Sequence, residues 1–139
     1  MTDQKYIEAS QGAGRKFVMR QISGPVIMLN LLKFKEKADY TDLEDIAPDR
    51  EISGKEAYKI YMKETLPFLE EAGGELIFYG KGGPFLIGPE NMEWDLVMLV
   101  KHASMEKFLG FANNKAYLKI AGHRKAALED SRLLPIVEH

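Results

Sequence analysis

The segment Val26-Ile27-Met28-Leu29-Asn30-Leu31-Leu32-Lys33-Phe34 constrains the fold of this chain more than any other feature. Side chains of a strand alternate between two faces, so a strand that is apolar at both parities must be covered on both sides. Residues 94–101 repeat the pattern, with Leu96, Met98 and Val100 at one parity and Val97 and Leu99 at the other. A sheet built on two such strands needs helices over one face and a further apolar layer over the other.

The rest of the chain supplies the helices. Ser10 is placed to cap a helix over residues 10–21, weakened in its first turns by Gly12 and Gly14, and Ser23-Gly24-Pro25 ends it. Residues 35–52 are charged and contain Pro48, which predicts a solvent-exposed excursion. Ser53 caps a second helix, in which Ala57, Tyr58, Ile60, Tyr61, Leu66, Phe68 and Leu69 recur at helical spacing until Gly73-Gly74. Pro67 is expected to kink it or start a new turn. A strand follows over residues 75–79, is interrupted by Gly80, Gly82 and Gly83, and is expected to resume at Phe85-Leu86-Ile87. After the strand opened by Trp94, Ser104 caps a short helix through Phe111 and Asn113-Asn114 marks a break. Residues 115–129 then read as one longer helix, and residues 133–137 as a strand whose Pro135 points to an edge.

The order after the leader is β, α, β, β, α, β, an α+β chain of ferredoxin-like topology with an extra N-terminal helix. A length of 139 residues fits one domain, with a leader and helix over residues 1–24 and a core over residues 25–139. The simplest cover for its helix-free face is a second copy of the chain, because closed twofold dimers are the commonest assembly.

Composition removes several kinds of chemistry. There is no cysteine, hence no thiolate nucleophile and no cysteine-held zinc or iron–sulfur site. The histidines lack zinc-ligand spacing, and Asp42, Glu44, Asp45 and Asp49 do not match a calcium loop. Neither glycine-rich stretch has the spacing of a phosphate cradle, and no Gly-x-Ser-x-Gly elbow occurs. No metal or cofactor is expected. With a formal charge of −2 and scattered Lys and Arg, neither nucleic acid nor a membrane surface is an expected partner. The first residues lack the apolar core of a signal peptide and no run is long enough to cross a bilayer, so a cytoplasmic location is expected.

Particular strings carry a resemblance. Gly24-Pro25-Val26-Ile27-Met28-Leu29-Asn30-Leu31-Leu32-Lys33-Phe34, Ser53-Gly54-Lys55-Glu56-Ala57-Tyr58, Gly73-Gly74, Leu86-Ile87-Gly88-Pro89, Trp94-Asp95, His123-Arg124 and residues 127–133, in this order and spacing, resemble the bacterial "domain of unknown function 1330" family. The match runs from about Tyr6 to the end of the chain. The resemblance implies a dimeric α/β barrel, two ferredoxin-like sheets closing face to face around an internal cavity. That superfamily includes cofactor-independent monooxygenases, haem-degrading enzymes and small-molecule isomerases, so it sets a range of activities and no single one.

A few polar residues in apolar surroundings are the candidates for chemistry. Asn30 lies between Leu29 and Leu31 and must find hydrogen-bond partners. It either orients a substrate carbonyl, phenol or dioxygen or satisfies a neighbouring backbone group. His123 and Arg124 share helical stripes with Ile120, Ala127 and Leu128. They serve either as a general base and a carboxylate anchor or as cations paired with acids at a helix end. Trp94, Tyr58 and Tyr61 wall a pocket or fill the core. His102 and His139 read as surface and terminal residues. The resemblance places Asn30, Trp94, His123 and Arg124 around one cavity per subunit. A haem-degrading branch puts its tryptophan at the other end of the strand, so haem is not the expected ligand. Two readings follow: a cofactor-independent oxygenase or isomerase acting on a small aromatic or carbonyl compound, and a dimer that binds or senses such a molecule without turnover.

Overall fold

Helices begin where the serines predict them. In the structure, a computed structural model describing residues 4–139, the Ser10 hydroxyl accepts a hydrogen bond from the Ala13 N–H at 3.1 Å and opens α1 (Gln11–Met19). Residues 1–3 of the expected leader lie outside the described residues. Ser53 and Glu56 form a reciprocal capping box at the start of α2 (Gly54–Glu71), with bonds of 3.0 and 3.1 Å. Ser104 likewise opens α3 (Met105–Ala112). Helix α2 continues past Pro67 to Glu71.

The strands are β1 (Val26–Phe34), β2 (Glu75–Lys81), β3 (Leu96–His102) and β4 (Leu128–Ile136), between which lie α4 (Lys115–Ile120) and α5 (Gly122–Ala127). They form one antiparallel sheet in the order β2-β3-β1-β4, which is the ferredoxin-like order. The two strands apolar at both parities, β1 and β3, are its two central strands. Pro135 sits in β4, an edge strand, where a missing N–H interrupts no further ladder.

The register assigns every side chain to a face. One face carries the cross-strand rows Leu133–Asn30–Met98–Tyr79 and Ser131–Leu32–Leu96–Lys81. Leu32, Leu96 and Met98 pack there with Ile52, Ala57, Tyr58, Tyr61, Ala127 and Leu128 to make the buried core under α2 and α5. The other face carries the row Leu134–Leu29–Leu99–Phe78, apolar across all four strands. Among the described residues no helix covers it, and Leu134 and Phe78 are 56% and 53% exposed.

Several expectations are corrected. The expected single helix over residues 115–129 is two short helices meeting at Gly122. A Cβ at that position would lie 2.8 Å from Ile46 Cδ1 and 2.9 Å from Leu43 Cδ2. The second of them ends at Ala127, because Leu128 pairs with Phe34 and extends β4 back by five residues beyond the expected strand. Trp94 precedes β3 instead of opening it, and residues 85–87 form no strand, leaving a single bridge between Pro84 and Glu93. The stretch 35–52 is two-sided. Its charges face water, while Ile52 is buried and Ala38 and Tyr40 pack on the core. Backbone bonds from Lys35 N to Ala127 O (2.8 Å) and from Asp39 N to Ala126 O (2.9 Å) fasten it to the end of α5. His102, expected at the surface, is 2% exposed. The register places it opposite Val26, and its ring lies against those of Phe108 and Phe111. Among the described residues no helix is long and apolar enough to cross a membrane.

Candidate functional site

His123 is the most chemically organised side chain in the molecule. It is 5% exposed on α5, with Nδ1 at 2.8 Å from the Tyr40 hydroxyl and Nε2 at 3.1 Å from Glu64 Oε2. Three separate segments build this group: α5 supplies the imidazole, α2 the carboxylate, and the strap over residues 35–52 the phenol. Burial holds the imidazole below its ordinary pKa, opposed by the Glu64 carboxylate. Burial and the same carboxylate raise Tyr40. A neutral ring beside a carboxylate carries its proton on Nε2 and gives it to Glu64, leaving Nδ1 to accept from the Tyr40 O–H. The result is a directed chain from phenol through imidazole to a carboxylate that is half-exposed to solvent.

Tyr40 and Glu64 escaped the sequence reading. Glu64 looks like any charged residue on an exposed helix face, and its pairing with His123 exists only once α2 packs on α5. Tyr40 left a signal: Tyr40, Leu43 and Ile46 recur every three residues in an otherwise charged stretch. Turn bonds from Leu43 N to Tyr40 O and from Ile46 N to Leu43 O accompany that spacing.

The other candidates have separate partners. Asn30 lies on the helix-covered face of the sheet and donates through Nδ2 to Met28 O in its own strand at 3.2 Å. Arg124 turns away from its neighbour His123. It donates to Ile7 O at 2.5 Å and to Ser131 Oγ at 3.3 Å, while Ser131 Oγ donates to Tyr6 O, so the arginine fastens the leader to β4. Trp94 is buried under the Arg132 guanidinium, 5.2 Å from the ring centre, and its indole N–H has no acceptor among the described residues. Arg132 also covers the Tyr6 ring and pairs with Asp130 at 2.7 Å. Among the described residues no hydrogen bond, ion pair or ring contact joins any two of Asn30, Trp94, His123 and Arg124.

Tyr58 and Tyr61 are in contact, with ring centres 5.2 Å apart, both buried in the core. The Tyr61 hydroxyl lies 2.6 Å from that of Tyr117, and burial pushes the Tyr58 and Tyr117 phenols far above their ordinary range. The Tyr61 and Tyr117 hydroxyls bond each other, and the Tyr58 and Tyr117 phenols stay protonated. Among the described residues no group of His, Asp and Glu is arranged to hold a metal ion.

Comparisons with known proteins agree with the fold. A family model described as a domain of unknown function, DUF1330, matches residues 46–138. The methylated RPA0582 protein has a crystal structure that is 31% identical and superposes with a TM-score of 0.86, covering 97% of this chain and 96% of that one. RPA0582 from Rhodopseudomonas palustris, described as a protein of unknown function, also superposes at 0.86, with 30% identity and 98% of both chains covered. No curated protein matches.

Proposed function

Starting from a chain that belongs to the DUF1330 family, we propose that it is a homodimer acting on a small enolisable carbonyl compound as a cofactor-independent isomerase. The observation that carries this reading is the Tyr40, His123, Glu64 chain. Two of its groups have the protonation state that carbonyl isomerisation requires at neutral pH: a protonated phenol and a neutral imidazole. A substrate carbonyl that takes the Tyr40 hydrogen bond releases Nδ1 of His123, which then removes the proton from the adjacent carbon. The electron pair moves into the carbon–carbon bond and onto the oxygen, where Tyr40 stabilises it. Glu64 supports the imidazolium, which returns the proton to oxygen or to another carbon. Proton transfer of this kind needs no oxidant, which favours isomerisation over oxygenation.

The test is exchange of α-hydrogen for deuterium in a panel of small alkyl and aryl α-keto acids, followed by proton NMR in heavy water. The protein is expected to accelerate exchange of at least one compound. Tyr40→Phe and His123→Ala should lower that rate roughly 100-fold or more. Exchange no faster than in buffer across the panel would refute the reading.

A further inference from the structure

Between β2 and β3 the chain leaves the sheet and forms an arm over residues 82–95. Its root is tied down. Gly82 N donates to Asp95 O at 3.1 Å and Trp94 N to Gly83 O at 3.2 Å. Asp95 N donates to Leu32 O, and the Asp95 carboxylate accepts from Phe34 N, both at 2.8 Å. At its tip, Gly88 has φ +154, and a Cβ there would meet Phe85 Cγ at 2.8 Å, so the Phe85 ring lies against the turn while staying 38% exposed. Leu86 and Ile87 point away from it, 99% and 91% exposed. Two adjacent aliphatic side chains held in water by an arm with an anchored root mark a contact surface.

We propose that this arm is a clasp that seats Leu86 and Ile87 on the open sheet face of a second copy of the chain; the inference rests on the homodimer reading above. Three observations select that occupant. The open face is marginal alone. Four strands about 4.8 Å apart and about seven residues long at about 3.3 Å each present on the order of 400 Å² in plan; side-chain relief raises its accessible area above that figure, toward the about 800 Å² of accessible surface per partner that a stable interface buries. Reciprocal arms reduce the shortfall. Charge is the second observation: residues 82–95 carry Glu90, Glu93 and Asp95 and no Lys or Arg, while the open face carries Lys33, Lys101 and Arg132 against Glu75 and Asp130. Continuity is the third, because the arm grows out of the two strands that contribute Leu99 and Phe78 to the open apolar row. A twofold axis then lets each copy give one arm and receive one.

Sedimentation equilibrium of three proteins separates the possibilities. Leu86 and Ile87 make no contact that folding needs, so a Leu86→Ser, Ile87→Ser variant should keep the wild-type circular dichroism spectrum. Its dimer dissociation constant should rise on the order of 100-fold or more. Leu99→Lys, on the open face, should also dissociate the dimer. If Leu99→Lys dissociates it and the arm variant does not, the clasp is refuted and the homodimer stands; if the wild type is a monomer at tens of micromolar, both fall. The absence of cysteine provides an independent measurement. A photo-crosslinker on the thiol of Leu86→Cys should yield a covalent dimer whose crosslinked peptide contains Leu29, Leu99 or Leu134. Crosslinks confined to the arm's own chain would overturn the clasp.

Discussion

Replacing His102 by leucine should remove a specific part of the pH dependence of stability. The ring is 2% exposed, faces Phe108 and Phe111 at centre distances of 4.9 and 5.8 Å, and has no partner for Nδ1 among the described residues. Burial alone brings its pKa from the ordinary 6.5 down to about 4. The unfolded chain therefore binds a proton here at a higher pH than the folded one. Folding stability from this group is complete above about pH 6.5, falls as pH drops through the window, and levels off below about pH 4. Between about pH 7.5 and pH 4.5 the loss is about 2.5 kcal/mol, an upper figure for a site that relaxes on protonation. Carboxylates and His123 titrate in the same range, so the readout is the difference between wild type and His102→Leu in urea unfolding free energy across that window. The difference should swing by about 2 kcal/mol in favour of the variant as pH falls. A difference that stays flat would mean that His102 is solvated in solution and that the aromatic enclosure around it is wrong.

Other perturbations probe the remaining parts of the account. Gly54→Ala would place a Cβ 2.6 Å from Ala127 O and 2.8 Å from Lys35 N, both backbone atoms, and should cost about 3 kcal/mol in chemical denaturation. Leu32→Ala, at a position with 0% exposure, should cost about 2–5 kcal/mol by the same assay, with the smaller figure only if the core collapses around it. Arg124→Ala should cost about 1–3 kcal/mol and speed amide hydrogen exchange near Tyr6 and Ile7, because it releases Ile7 O and Ser131 Oγ. A chelator should leave the melting temperature unchanged, since the core that holds the fold together is built from apolar and aromatic side chains.

How much of this was legible in the sequence depended on the range of the interaction. Serine caps and the two-sided apolar strands are local patterns. They led directly to three helix starts, to the topology, and to β1 and β3 as the strands with both faces in demand. The end of α5 was not legible, because the helix stops at Ala127 when β1 recruits Leu128 into the sheet, a tertiary competition that residues 115–129 do not reveal. The burial of His102 is hidden for the same reason: proximity to Lys101 points to solvent, but the register with Val26 and the rings of α3 decide it. At the candidate site, the helix stripe that carries His123 makes it a candidate base in the sequence. Its partners Tyr40 and Glu64 come from distant segments and needed the fold. Arg124, adjacent to it, turned out to hold the leader.

The homodimer is the claim on which the clasp and the cover for the open face both depend, and native mass spectrometry of freshly purified protein tests it most directly. A principal species at twice the 15.8 kDa chain mass is expected at low micromolar concentration, together with any small molecule retained by it. A principal species at the single-chain mass would contradict the account, because the row Leu134–Leu29–Leu99–Phe78 would then face water in the native protein.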